Sequence, residues 1–197
     1  RGPRGSACCR ATGGRACSAC QGGGILNLGG GLAMTDVDVV GNSAGTGGGG
    51  ICSSGNADAT LTRVLVAENI AGSTTPATFG SGGGIQNIQS EMTIVDSTIA
   101  DNTAVLSRGG GIMNIDVSAR PQPPAILTVT GTTIADNLAG DPARVSLNEG
   151  SGGGIFNSSG RLLLTNSTLT GNEAVPSYAS GFGFIAGTGR GGGLGHQ

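Results

Sequence analysis

Hydrophobic residues in this chain alternate with polar ones over short runs, and the runs recur five times along the sequence. When the runs are aligned on the motif Asn-x-Ala, two positions before the asparagine are apolar throughout. The position eight residues before it holds Met34, Leu61, Ile94, Val129 and Leu164. The position three residues before it holds Val39, Val66, Ile99, Ile134 and Leu169. Because strand side chains alternate between two faces, this pattern predicts short β-strands with one buried face.

A second repeated element, Gly-Gly-Gly followed by Ile or Leu, opens each unit and begins at Gly22, Gly48, Gly82, Gly109, Gly152 and Gly191. Successive starts are 26, 34, 27, 43 and 39 residues apart, so the strands are constant while the connections vary. This spacing is typical of a solenoid, in which successive coils stack ~4.8 Å apart. The sequence therefore predicts an all-β, right-handed parallel β-helix of three sheets and about five coils over residues 22–197, with residues 1–21 as a Cys-rich segment that caps the first coil.

Asparagine recurs at two places in the coil, and both series are predicted to form ladders at the bends. One series follows Gly-Gly-Gly-Ile, has Ser53 in the second coil, and otherwise comprises Asn27, Asn87, Asn114 and Asn157. The other series belongs to Asn-x-Ala and comprises Asn42, Asn69, Asn102, Asn137 and Asn172. Stacked amides can hydrogen-bond above and below, and asparagine tolerates the left-handed backbone of a tight bend.

Composition narrows the classes of function. The chain has 41 glycines, no lysine and only five aromatic residues, which disfavours a helical bundle because glycine costs about 1 kcal/mol per helix position. The net charge of −2 provides no basic stripe, so we expect no nucleic-acid partner. Since no apolar run reaches ~18 residues, we expect no membrane-spanning segment.

Four of the five cysteines lie in the first twenty residues, at Cys8, Cys9, Cys17 and Cys20. Their clustering predicts an oxidising, extracellular compartment and disulfides that pin the N-terminal segment over the first coil. The spacing is not that of a standard zinc site, and sequence alone leaves the pairing open. Cys52 makes the number odd, which leaves a free thiol or an intermolecular bridge as alternatives.

The units at 82–104 (GGGIQNIQSEMTIVDSTIADNTA) and 152–174 (GGGIFNSSGRLLLTNSTLTGNEA) carry a family resemblance. They resemble the repeats of bacterial right-handed β-helix surface proteins, in the polymorphic outer-membrane protein and pectate-lyase-like superfamily. The resemblance covers residues 22 to about 194 and implies the fold. It leaves function open, because the superfamily includes adhesins, autotransporter passengers, phage tailspikes, polysaccharide lyases and hydrolases.

Candidate chemistry is sparse. A lyase of this superfamily would use an arginine or lysine base beside aspartates that hold calcium, and a hydrolase would need clustered carboxylates. Glu68, Asp101 and Asp136 each precede a ladder asparagine and are expected to stack outward, as a hydrated acidic stripe or as a weak Ca²⁺ site. An enzyme would also require these carboxylates to converge with Arg63 or Arg108. We otherwise expect no catalytic residue and no cofactor, and interpret His196 as a solvated tail residue.

Two surfaces are candidates for interaction. The residue after each Gly-Gly-Gly-Ile should point outward, and four of the five are non-polar, which predicts a covered or partner-binding face: Leu26, Cys52, Gln86, Met113 and Phe156. The long connections 138–151 and 173–190 should cluster at one corner, and the second carries Tyr178, Phe182 and Phe184.

Outward threonines form a further array, as in ice-binding solenoids, at Thr35, Thr60, Thr62, Thr93, Thr128, Thr130 and Thr165. Ala33, Val95 and Leu163 interrupt it, and threonine is favoured on any exposed strand.

The sequence thus favours a non-catalytic, extracellular or cell-surface structural protein, an adhesin or a filament subunit. Its expected partners are further copies of itself, joined end to end or side by side, and cell-surface or polysaccharide ligands. A polysaccharide-acting β-helix enzyme is the alternative, and an ice-binding protein is the third hypothesis.

Overall fold

A computed structural model describes residues 22–74, 77–78, 80–117, 124–140, 150–175 and 191–196. The first coil contains β1 (Ile25–Leu28), β2 (Gly31–Thr35), β3 (Asp38–Val40) and β4 (Ser43–Ala44). The second contains β5 (Ile51–Ser54), β6 (Asp58–Thr62), β7 (Leu65–Ala67) and β8 (Ile70–Ala71). A small antiparallel hairpin follows, made of β9 (Ser73–Thr74) and β10 (Ala77–Thr78).

The remaining coils repeat the same order of strands. The third contains β11 (Ile85–Ile88), β12 (Glu91–Val95), β13 (Thr98–Ala100) and β14 (Thr103–Ala104). The fourth contains β15 (Ile112–Ile115), β16 (Ile126–Thr130), β17 (Thr133–Ala135) and β18 (Leu138–Ala139). The fifth contains β19 (Ile155–Ser158), β20 (Arg161–Thr165), β21 (Thr168–Thr170) and β22 (Glu173–Ala174), and β23 (Leu194–His196) begins a further turn.

Strands that occupy the same place in successive coils pair in parallel and form four sheets. The first sheet has the order β1-β5-β11-β15-β19-β23, and the second has β2-β6-β12-β16-β20. The third sheet has the order β3-β7-β13-β17-β21, and the fourth has β4-β8-β14-β18-β22. The architecture is therefore all-β and solenoid-like, as the repeat predicts.

The prediction of three sheets is wrong, because the Asn-x-Ala motif is not only a bend. The two residues that follow each asparagine pair with their counterparts in the adjacent coils, for example Ala71 with Ala44 and with Ala104. These two-residue strands form the fourth sheet. A strand of two residues is too short to show a period of two, so the hydrophobic pattern carries no signal for it.

The predicted apolar columns lie in single file. Val39, Val66, Ile99, Ile134 and Leu169 are direct neighbours along the third sheet. In the second sheet the column of Met34, Leu61, Ile94, Val129 and Leu164 is in the same strict register. With the inward isoleucines of the first sheet they form one continuous core, fully buried in the middle coils and half-buried at Leu162, Leu164 and Leu169.

Two corners of every coil have left-handed backbone conformation. At the corner between the second and third sheets, φ lies between 48° and 60° at Asp36, Arg63, Asp96, Gly131 and Asn166. At the corner between the third and fourth sheets, φ lies between 53° and 68° at Gly41, Glu68, Asp101, Asp136 and Gly171. Glycine, asparagine and aspartate are the residues that adopt this conformation at least cost, which accounts for their recurrence there.

Close approach of the backbone explains the second and third glycines of each triplet. A Cβ atom on Gly83 would overlap the carbonyl oxygen of Gly110 in the next coil and the backbone of Thr103. A Cβ on Gly84 would lie 2.9 Å from Cγ of Asn102, the ladder asparagine of the same coil. The triplet is thus the place where the chain passes closest to its own fourth sheet.

We expect Gly83→Ala to destabilise the fold by roughly 3 kcal/mol or more, because backbone atoms on both sides must move to admit the methyl group. Urea denaturation followed by far-UV circular dichroism measures the change. The matched control is Gly31→Ala in β2, where the added Cβ meets nothing within 4 Å. The two variants should differ clearly in their urea midpoints, and equal midpoints would contradict this account of the triplet.

Candidate functional site

The asparagines of the Asn-x-Ala motif form a continuous hydrogen-bonded ladder at the corner between the third and fourth sheets. Oδ1 of Asn102 accepts hydrogen bonds from the backbone N–H and from Nδ2 of Asn69, both at 3.0 Å. Nδ2 of Asn102 donates to the carbonyl of Val66 at 2.9 Å and to Oδ1 of Asn137 at 2.9 Å. One side chain therefore satisfies polar groups of three successive coils while it is fully buried.

The ladder has a direction. Every asparagine donates to the next coil and accepts from the preceding one, from Asn42 through to Asn172. Among the described residues, no group donates to Oδ1 of Asn42, and Nδ2 of Asn172 donates only to the carbonyl of Ile134, at 2.8 Å. The described stack thus presents an unused acceptor at one end and an unused donor at the other.

The asparagines of the first sheet form a second ladder with one gap. Nδ2 of Asn87 donates to Oδ1 of Asn114 at 2.8 Å, and Nδ2 of Asn114 donates to Oδ1 of Asn157 at 2.7 Å. In the second coil the position is Ser53, which is fully buried and accepts a long hydrogen bond of 3.5 Å from Asn27. Oδ1 of Asn87, which faces Ser53, is buried without a hydrogen-bond partner.

A third polar system, which the sequence analysis missed, consists of hydroxyl groups at the corners. Oγ of Ser97 accepts the N–H of Val64 at 3.0 Å and donates to the carbonyl of Val95 at 2.7 Å. Thr132 and Ser167 make the same two contacts one and two coils further on. The signal was a hydroxyl recurring five residues before the ladder asparagine, but Val37 and Val64 occupy that position in the first two coils.

The acidic residues Glu68, Asp101 and Asp136 lie where the sequence placed them, exposed at neighbouring corners of the second, third and fourth coils. Their left-handed backbone gives them a conformational role at the bend. Within the ranges that the structure describes, no group of three or more His, Cys, Asp or Glu side chains is arranged to hold a metal ion. The acidic column therefore offers no built metal centre.

The two arginines considered for catalysis occupy different places. Arg63 forms a two-pronged salt bridge with Asp36 of the preceding coil, with nitrogen–oxygen distances of 2.6 and 2.8 Å. Both side chains are more than half exposed, so the pair contributes little to stability. Arg108 lies over the ring of Phe156, 5.0 Å from the ring centroid. Arg63 is thus engaged at the corner between the second and third sheets and not with the acidic column.

The outward column of the first sheet is covered. Leu26, Cys52, Gln86, Met113 and Phe156 lie side by side in register. Leu26 is half-buried, but Cys52, Gln86, Met113 and Phe156 are at most 7% exposed. Of the two interpretations that the sequence allowed, the structure therefore shows the covered one, and Met113 and Phe156 do not form an exposed surface for partners.

The residues just before each Gly-Gly-Gly provide part of this cover, and we call them the approach segments (residues 45–47 and 105–108). A Cβ atom on Gly47 would overlap the side-chain amide of Gln86, and Arg108 stacks on Phe156. In both cases the approach segment of one coil lies on the outward side chain of the following coil. The outward column is thus a second packed layer outside the sheet.

Several predicted site residues lie outside the described residues. These are the cysteines Cys8, Cys9, Cys17 and Cys20 and the aromatic residues Tyr178, Phe182 and Phe184. The side chain of His196 also falls outside them. The long connections that contain residues 141–149 and 176–190 do follow strands of the fourth sheet, β18 and β22, so they leave from equivalent places in adjacent coils.

The outward threonines of the second sheet stack only in part. Thr60, Thr93 and Thr128 are direct neighbours, but Ala33 and Leu163 end the row on its two sides. Val95 interrupts the parallel row between Thr62 and Thr130. Leu163 is about half exposed, at 51%. The array is therefore three coils deep at most, and its regularity is limited.

In comparisons with protein-family models, with curated proteins and with solved structures, no match to this chain was found. Within the part of the chain that the structure describes, no helix is long and apolar enough to cross a membrane.

We expect Ser53→Asn to stabilise the fold by about 1 kcal/mol, because the new amide would donate to the orphaned Oδ1 of Asn87 and complete the ladder. Chemical denaturation measures the gain. The control is Ser54→Asn, at the next position of the same strand, which faces outward and should leave stability nearly unchanged. A Ser53→Asn variant no more stable than its control would show that the gap has another cause.

The hydrogen bond from Arg63, supported by the charge of its guanidinium, holds the pKa of the Asp36 carboxyl below its usual 3.8. The stabilisation from this pair is therefore present above pH ~4 and is lost as the pH falls through the lowered pKa of the folded state. An NMR titration should place the Asp36 midpoint below 3.8. In the Arg63→Gln variant the midpoint should rise, and an unchanged midpoint would refute the pairing in solution.

Proposed function

We propose that this chain is a non-catalytic structural or adhesive β-solenoid that acts outside the cell or at the cell surface, like the right-handed β-helix surface proteins its repeats resemble. The observation that carries the proposal is the Asn-x-Ala ladder, which runs unbroken through all five coils. The buried polar side chains of the ladders and corners bind neighbouring coils, and their hydrogen bonds are devoted to stacking. Stiffness is the property that such an arrangement supplies.

The right-handed sense of the coil is part of the proposal. Parallel strands of one sheet are joined here by long crossover connections that run through the other three sheets. Such connections are right-handed in about 98% of known cases, because right-twisted strands pack back onto their sheet most readily in that sense.

End-to-end association is supported by two features of the described stack. The ladder has an unused acceptor at Asn42 and an unused donor at Asn172, so a further coil can continue it in the same direction. At the same end as Asn172 the core residues Leu162, Leu164 and Leu169 are only half-buried. A coil added there, from the same polypeptide or from a second copy, would bury them.

Contacts of the arginines favour this function over the enzyme. A lyase groove requires an arginine or lysine base directed at the acidic residues, whereas the Arg63 guanidinium binds Asp36 at a different corner. The exposed acidic residues instead occupy the left-handed position of the bend, which gives them a structural reason to be there.

We expect the purified chain to form long unbranched fibres in a concentration-dependent manner, visible by negative-stain electron microscopy and by sedimentation. Leu169→Glu should abolish them, because it places a charge on the half-buried open face of β21. Thr170→Glu, on the outward face of the same strand, is the control and should leave fibres intact. Circular dichroism verifies that both variants remain folded.

Two results would contradict the proposal. Discrete monomers at all concentrations would refute end-to-end association. Cleavage of a uronate polymer by the wild-type chain, lost in an Asp101→Asn variant, would refute the non-catalytic assignment.

A further inference from the structure

We propose that a disulfide between Cys52 and Cys20 fastens the N-terminal segment over the outer face of the first sheet, as a covalent cap on the first two coils. This inference concerns a contact within the chain and does not depend on the proposed function.

The environment of Cys52 is the first observation. Its side chain points outward from β5, yet it is fully buried and belongs to an apolar cluster with Ile88, Leu26 and Ile115. Its sulfur is that of a half-cystine. The other cysteines of the chain are Cys8, Cys9, Cys17 and Cys20, so a disulfide within one chain must reach the N-terminal segment.

The register of the approach segments selects among these cysteines. Gly47, the residue before its Gly-Gly-Gly triplet, lies on Gln86 of the following coil, and Arg108, in the equivalent position, lies on Phe156. The equivalent residue before the first triplet is Gln21, and the outward residue of the following coil is Cys52. The same register therefore brings residue 21 over Cys52 and its neighbour Cys20 within reach, while Cys8 and Cys9 are more than ten residues further along the chain.

Formation of the bond requires a two-electron oxidant of the disulfide class, such as oxidised glutathione. The Cys20 thiolate attacks one sulfur of the oxidant and releases a glutathione thiolate. The Cys52 thiolate then attacks the Cys20 sulfur of the mixed disulfide and releases the second. The two protein thiols lose two protons and two electrons, and one oxidised glutathione becomes two reduced molecules.

Peptide mapping tests the pairing. The full chain, refolded with oxidised and reduced glutathione and alkylated without reduction, is digested with trypsin and with a protease that cleaves before aspartate. Cleavage after Arg4, Arg10 and Arg15 and before Asp36, Asp38 and Asp58 separates Cys8 and Cys9 (peptide 5–10), Cys17 and Cys20 (peptide 16–35) and Cys52 (peptide 38–57). We expect peptide 38–57 to be joined to peptide 16–35 in the mass spectrum.

Single variants identify the partner. Cys17→Ser should keep the two peptides joined, whereas Cys20→Ser should release peptide 38–57 with Cys52 alkylated. The proposal is overturned if Cys52 is alkylated in the folded wild-type chain or is joined only to peptide 5–10. A join that survives Cys20→Ser, or a join between two copies of peptide 38–57, also overturns it.

Hydrogen exchange provides a readout of the cap itself. Loss of the bond in Cys20→Ser should speed the exchange of the β1 amides by about tenfold or more, because the first coil is no longer closed by the segment. Amides of β12, in the middle of the stack, should be unaffected. Equal exchange of β1 in the wild-type and variant chains would show that the segment does not cap the coil.

Discussion

Parallel pairing of each residue with its counterpart in the next coil is the constraint on which the rest of the structure depends. A slip of one residue in any strand would turn its inward column to solvent and break both asparagine ladders at that coil. Register therefore has to be maintained from the first coil to the last. Variation in length is confined to connections that lie outside the four sheets, which is why the triplet spacing ranges from 26 to 43 residues while the paired columns remain unbroken.

The interior polar groups make this register self-enforcing. A buried amide costs free energy unless its donors and its acceptor are used, and an asparagine of the Asn-x-Ala ladder uses them only when both neighbouring coils supply the matching atoms. Asn102 depends in this way on Asn69 and Asn137. Ser53 shows the cost of an imperfect match, since its shorter side chain leaves one oxygen of Asn87 without a partner.

Hydrophobic alternation in the sequence was sufficient to predict the apolar columns and the parallel stacking, because inward residues such as Val66 and Ile99 recur at constant distance from an asparagine. It could not predict the fourth sheet, whose strands are shorter than one period of the pattern. It also could not predict that Met113 and Phe156 are buried. Their outward direction follows from alternation, but their cover comes from approach segments whose path is set by tertiary packing.

Burial of the outward column in the first sheet limits where a partner can bind. The outer faces of the second and third sheets carry mainly threonine, alanine and isolated charged residues, with single exposed apolar side chains such as Leu163 and Val40. No large apolar patch arises among these described residues, so a single tight docking site has little to form on. What these faces do offer is similar small side chains repeated at the spacing of the coils, ~4.8 Å. Weak contacts of this kind gain avidity when a rigid array presents many of them in fixed geometry. The stiffness that the ladders give to the stack is therefore the physical basis on which adhesion by such a surface would depend.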